Sequence, residues 1–199
     1  MTKLLLVRHG QSEWNAVGKW QGQADPPLTE FGMEQASLAA LEIPDFSILA
    51  CSDLQRAQLT AEIFADSKGW DKNRIITESR IQERDAGAFS GLTREEINKQ
   101  FPGFLKNGIW PDDWESDEDL LIRLWKGLRR IINDAEGDSP IVVVTHGGCI
   151  YALESLCGGE YRRIPNLGAQ WFEVEGKEIH LGDRIHLLPP EEETYPDQI

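Results

Sequence analysis

The sequence predicts a single-domain α/β fold, a three-layer α/β/α sandwich on a mostly parallel central sheet. Three observations carry that expectation. Apolar, strand-like runs alternate with amphipathic helical segments along most of the chain. The run Ile141-Val142-Val143-Val144 is continuously apolar, as suits a strand covered on both faces in the middle of a parallel sheet. That run and Leu4-Leu5-Leu6-Val7 both end abruptly in polar residues and glycine, at the carboxyl edge where open α/β sheets bind ligands.

Taken in order, the first strand gives way at Arg8-His9-Gly10, where glycine lets the backbone turn. A helix capped near Thr29 carries Gly32, Gln35, Ala36, Leu38, Ala39 and Ala40 and stops at Pro44. Phe46 to Cys51 reads as a short strand. Ser52 or Asp53 then caps a helix to about Ser67, with Leu54, Ala57, Ala61 and Phe64 on one face. Residues 74–77 form a brief strand leading to Ile81, and a helix from Thr93 ends before Pro102. Residues 101–114, rich in Gly, Pro and Trp, are expected as an irregular insertion over one face. A long amphipathic helix spans about Ser116 to Asp134, and another follows His146-Gly147-Gly148. From Gln170 the pattern alternates, with Glu175-Gly176 as a hairpin turn between residues 171–174 and 178–181. The domain is expected over residues 1–188, and residues 189–199 as an acidic, Pro- and Glu-rich tail that frays.

The 199 residues are 40% hydrophobic and 27% charged, the balance of a soluble protein with one core. A net charge of −14 argues against nucleic acid and anionic membranes as partners. It does not exclude a small anion held by a few arginines in a cleft. The acidic runs Asp112 to Asp119 and Glu191-Glu192-Glu193 read as solvated surface rather than cation sites. No apolar run approaches a membrane span, and the N-terminus lacks the pattern of a signal peptide. Cys51, Cys149 and Cys157 are an odd set without metal-type spacing, and Cys149 and Cys157 are expected as small buried residues in a reduced, cytoplasmic protein.

The chemistry sits at four strand-to-loop junctions. The first carries Arg8 and His9. The second, residues 51–57, places Arg56 in the first turn of a helix, where backbone N–H groups also favour an anion. The third offers Glu83, with Glu78 and Asp85 as competing carboxylates on the same connection, and the fourth offers His146. A parallel sheet brings all four to one edge: a candidate nucleophile, two arginines, a carboxylic acid and a second histidine. That set suits phosphoryl transfer through a covalent intermediate, without metal or other cofactor.

Arg8-His9-Gly10 with Ser12, Trp14 and Asn15 resembles the signature of the histidine phosphatase superfamily, the phosphoglycerate mutase-like proteins. The likeness extends through residues 20–36, Ser52 to Ala61, Glu83-Arg84 with Gly87 and Gly91, and Thr145-His146-Gly147-Gly148, all in family order. The resemblance implies a phosphomonoester hydrolase of the histidine phosphatase type. His9 would take the phosphoryl group, its reactive nitrogen unprotonated. Arg8, Arg56 and His146 would surround the phosphate oxygens, and Glu83 would serve as general acid and base. Asn15, Ser12 and Gly147 would be auxiliary contacts, although Ser12 and Asn15 equally suit fixing their own loop. Arg84 either greets a substrate carboxylate or pairs with Asp85. Trp14, Trp20 and Trp110 are expected to pack, and the aromatic residues of 101–114 either shape a pocket or form a small core of their own.

Family mutases carry a longer basic insertion after the acid loop, with paired arginines, and typically an asparagine at the place of Gly148. This chain has Arg94, Lys99 and Lys106 there but no such pair, which favours hydrolysis of a small phosphorylated metabolite over mutase chemistry. A non-catalytic phosphate-binding or dimerisation module is the alternative from another class, disfavoured by retention of His9, Arg8, Arg56, Glu83 and His146. The alternating C-terminal strands are candidates for pairing across a homodimer.

Overall fold

Side chains along the central strands alternate between two apolar cores, and that alternation sets the layers. Leu5, Val7, Leu49, Cys51, Val142 and Val144 face one core, while Leu4, Leu6, Ile48, Ala50, Ile141 and Val143 face the other. The computed structural model describes residues 1–135 and 139–196. In chain order, β1 (Thr2–Arg8) leads to α1 (Glu13–Ala16) and α2 (Glu30–Glu42), then β2 (Ile48–Cys51), α3 (Gln55–Ser67) and β3 (Ile76–Thr77). After these come α4 (Arg94–Gln100), α5 (Phe104–Asn107), α6 (Asp117–Asn133), β4 (Ile141–Thr145), α7 (Gly147–Leu156), β5 (Gly168–Glu175) and β6 (Glu178–His186). The sheet order is β3-β2-β4-β1-β5-β6, with β1 to β4 parallel and β5 and β6 antiparallel. Small residues let α2 and α3 lie close on the first face (Ala36, Ala39 and Ala40 with Ala57 and Ala61). Leu120, Leu124, Leu128 and Ile131 of α6, with Ile150 and Leu153 of α7, cover the second. The expected three-layer sandwich is the observed fold.

Several local expectations need correction. Gly10 does not turn at a positive φ; it is glycine because a Cβ there would lie 2.5 Å from the Gly32 carbonyl oxygen. A Cβ on Gly32 would in turn lie 2.1 Å from the Gln11 oxygen, so two backbones meet where side chains have no room. Neither Ser52 nor Asp53 is the N-cap of α3. Leu54 holds that position, and the Asp25 carboxylate, remote in sequence, accepts the Gln55 N–H at 2.7 Å. Asp53 instead accepts from Gln82 Nε2. The hairpin is longer than expected, with a register shift between Gln170 and Phe172.

The insertion 101–114 contains the single turn α5, and its aromatic residues pack with Trp20, Phe89 and Ile97 as a separate small core. The tail does not fray as expected at residue 189. Gln35 Nε2 donates to the Glu192 carbonyl at 2.7 Å, and the Asn166 N–H donates to the Thr194 carbonyl at 2.9 Å. Residues 197–199 of that tail lie outside the described residues. Cys51 and Cys149 are buried free thiols, and burial pushes both up to about 12, far from reactive; Cys157 is half-buried and also free. Among the described residues, no helix is long and apolar enough to cross a membrane.

The Gly10–Gly32 contact joins the loop after β1 to the start of α2. Gly32→Ala is expected to destabilise the protein by about 3 kcal/mol, the upper end of overpacking costs, read as a lowered urea midpoint at unchanged m-value.

Candidate active site

The backbone extends β1 by one residue, because the His9 N–H donates to the Thr145 carbonyl at 3.1 Å. The two strand ends therefore deliver His9 and His146 side by side, with ring centroids 5.2 Å apart. His9 Nδ1 lies 2.7 Å from the Gly10 carbonyl, which can only accept, so Nδ1 carries the proton and Nε2 is bare. Nε2 accepts from Arg56 Nε at 3.2 Å. Burial, reinforced by the cations of Arg56 and Arg8, holds the His9 imidazole neutral well below the ordinary histidine range.

Arg56 has no exposed surface. Its Nη1 and Nη2 donate to the carbonyls of Ala24 and Gly22, and burial lowers its pKa to about 10, which leaves it charged at neutral pH. Arg8 is also buried, with Nη1 donating to the Ile164 carbonyl at 2.8 Å. Neither ring nitrogen of His146 has a hydrogen-bond partner, although the residue is fully buried. Burial and Arg56 hold it, too, neutral well below the usual range. Asn15 Nδ2 is a further buried donor without a partner. The open nitrogens of His146, near the Arg56 and Arg8 guanidinium groups, are chemically suited to an anion.

Ser12 takes the loop-fixing alternative. Its hydroxyl donates to Gln21 Oε1 at 2.6 Å and accepts the Asn15 N–H, capping α1. Gly147 opens α7 beside the Arg8 guanidinium, which a Cβ would approach to 3.5 Å.

Glu83, on the connection after β3, lies within electrostatic reach of Arg8 and Arg56. Its Oε1 accepts the Arg84 N–H at 2.8 Å and its Oε2 the Gly148 N–H at 3.2 Å. A Cβ on Gly148 would lie 2.2 Å from Glu83 Oε1, so an asparagine there would push this carboxylate aside. The rival carboxylates are engaged elsewhere. Glu78 is ion-paired with Arg80 and Arg130, which lower it to about 2, and Asp85 accepts the Gly87 N–H in a turn.

Sequence reasoning missed the groups that hold this frame. Arg123 of α6 donates to the carbonyls of Arg80, Gln82 and Glu83 and to both oxygens of Glu115, clamping the acid loop. The run Asp112 to Asp119 is therefore not idle surface. Besides Glu115 on Arg123, Asp113 accepts the Ala88 N–H, and Asp117 pairs with Arg84 rather than leaving it to Asp85. Asn166 Nδ2 donates to the His9 carbonyl and to Asn15 Oδ1, while its Oδ1 accepts from Thr194 of the tail. Leu167 beside it has φ 59°, a conformation costly for a branched side chain, held by its N–H bond to the Arg8 carbonyl. Nothing in the pattern around Pro165-Asn166 signalled this.

A cavity of about 320 Å³ opens from Arg8, Glu83, Gly147 and Gly148 between Trp20, Trp110 and Trp114 on one side and Tyr151 and Tyr161 on the other. Trp20 and Trp110 thus both pack and line the cavity.

This edge of an α/β sheet thus carries two neutral histidines beside buried guanidinium groups, with a carboxylate near those groups. Residues 4–180 match the histidine phosphatase superfamily (branch 1), and the chain belongs to that family. It is 36% identical over 163 residues to an uncharacterized phosphatase, PhoE, of Bacillus subtilis (strain 168), covering 80% of each chain. It is 38% identical over 210 residues to a probable phosphoglycerate mutase, GpmB, of Photorhabdus laumondii subsp. laumondii, covering 91% of this chain and 95% of the other. The fold matches a solved structure of mycobacterial glucosyl-3-phosphoglycerate phosphatase in complex with VO3, with TM-score 0.79 and 26% identity over 90% of this chain and 96% of that one.

The two neutral histidines make stability depend on pH. Below about pH 6.5 the unfolded chain protonates both imidazoles while the folded state binds neither proton, so stability falls as pH falls. The expected slope is up to about 1.4 kcal/mol per pH unit for each histidine. Urea melts between pH 7.5 and 5.5 measure it, and His146→Ala should remove about one proton's worth of slope.

Proposed function

We propose that the protein is a phosphomonoester hydrolase that works through a phosphohistidine on His9, without a metal. The observation that carries this reading is the His9 imidazole, kept neutral with its proton on Nδ1 and its Nε2 bare beside Arg56. Nε2 attacks phosphorus, and the bond from phosphorus to the ester oxygen breaks. Arg8, Arg56 and the open nitrogens of His146, with Asn15 Nδ2, match the charge and donors that a five-coordinate phosphoryl group needs. Arg56 Nε then passes its hydrogen bond from Nε2 to a phosphoryl oxygen.

Glu83, as general acid, gives a proton to the departing alkoxide. As a carboxylate it next takes a proton from the water that attacks phosphohistidine, which frees inorganic phosphate and returns both residues to their starting states.

Hydrolysis rather than return of the phosphoryl group to substrate is supported by the cavity wall. The residues that the insertion 101–114 contributes to the lining are Trp110 and Trp114, neither of them basic. Gly148, which admits Glu83, departs from the asparagine of the mutases in the same direction. The likeness to the phosphatase relatives supports the reaction class, and small phosphorylated metabolites fit the cavity's size.

Purified protein incubated with an aryl phosphate in EDTA should release phosphate, and His9→Ala should abolish release. Glu83→Gln should lower kcat by about 10²–10⁴-fold. Release that needs added metal, or that survives loss of His9, overturns the mechanism. Because His9 stays neutral well below the ordinary histidine range, the acid limb of kcat/KM should fall below pH 6.5 rather than at it.

A further inference from the structure

Beyond the phosphate end, the cavity has a second charged corner that the reaction does not use. Among the described residues lining it, the cationic side chains are Arg8, at the phosphate end, and Arg84, which follows Glu83 in the chain. Arg84 is the group a second anion on the substrate would seek. Its side chain is 11% exposed and its guanidinium lies 5.5 Å from the Trp114 ring centroid. It is already engaged, with Nη2 donating to Asp117 Oδ1 at 2.5 Å and Nη1 to the Glu115 carbonyl at 2.7 Å. Asp117 also lines the cavity, and the amino end of α6 favours a carboxylate at that place. The other lining carboxylates are Glu83, which belongs to the reaction, and Glu154, which is ion-paired with Arg184.

We propose that Asp117 is a specificity determinant: by occupying Arg84 it disfavours phosphomonoesters whose leaving group carries a carboxylate or second phosphate. The substrate class is then phosphomonoesters of uncharged alcohols or phenols. This rests on the hydrolase reading above. An ion pair with one exposed partner contributes little in open water. Arg84, however, is largely shielded and also held by a backbone carbonyl, so an incoming carboxylate gains only what Asp117 gives up. An uncharged leaving group meets no such exchange, and the aromatic walls of Trp20, Trp110, Trp114, Tyr151 and Tyr161 offer it apolar surface instead.

The test compares kcat/KM for glycerol 3-phosphate and 3-phosphoglycerate, which differ in whether the leaving group ends in a hydroxymethyl group or a carboxylate. Wild type should prefer the uncharged ester. Asp117→Asn, an exposed position with the Ser116 cap intact, should shift the ratio about tenfold toward phosphoglycerate, the scale of one charge-assisted hydrogen bond. Asp117→Asn/Arg84→Gln should lose that gain. An unchanged ratio, a gain that survives loss of Arg84, or a wild type that already prefers phosphoglycerate overturns the proposal. Phosphate release from neither ester or the aryl phosphate is instead failure of the hydrolase reading. The anion preference is then read from thermal-melt shifts with the same two esters. There Asp117→Asn must tighten phosphoglycerate binding about tenfold, and no change overturns the proposal.

Discussion

Arg56 is a positive charge with no exposed surface, and the carboxyl edge of the sheet is organised around keeping it charged there. Desolvating a cation is costly unless donors are satisfied and a counter-charge is near. The carbonyls of Ala24 and Gly22 satisfy two of its nitrogens and His9 Nε2 the third. Those carbonyls belong to the 20–28 loop, so the loop's path is dictated by the guanidinium it wraps. The same cation, with Arg8, adds to burial in keeping His9 and His146 unprotonated. On the proposed reading, the phosphoryl group of the substrate is the counter-charge for these two guanidinium groups.

The acid side is built on the opposite plan. Glu83 is a half-buried carboxylate on an irregular connection, and irregular backbone is a poor platform for the acid–base role proposed for it. Arg123 remedies this by binding three consecutive-region carbonyls and the Glu115 carboxylate at once. A rigid seventeen-residue helix thus lends its stiffness to a loop. The tail does the same for the His9 side, where Thr194 orients the Asn166 amide and Asn166 in turn holds the His9 carbonyl and Asn15.

Much of the architecture was legible in the sequence because its signals are local. The alternation of Leu4 to Val7 and of Ile141 to Val144 between two cores follows from strand geometry alone, and α6 is bounded by Ser116 and Asp134 as its pattern and cap predict. The N-cap of α3 was misread because Asp25, thirty residues away, supplies the acceptor that Ser52 or Asp53 seemed placed to give. The tail was misread because acidic, proline-rich composition describes a solvated chain, whereas two backbone-directed bonds from Gln35 and Asn166 suffice to hold it.

For this protein the sequence by itself determined the layers, the parallel core and the placing of Arg8, His9, Arg56 and His146 at one sheet edge. Each of these follows from residue periodicity, or from position at a strand end or helix start. Only the tertiary structure decided the Nδ1 proton on His9, the engagement of Arg84 by Asp117, the capture of the Ser12 hydroxyl by Gln21 and the roles of Arg123 and Asn166. These depend on which donor lies within about 3 Å of which acceptor after the chain has packed, a distance that spacing along the sequence does not encode.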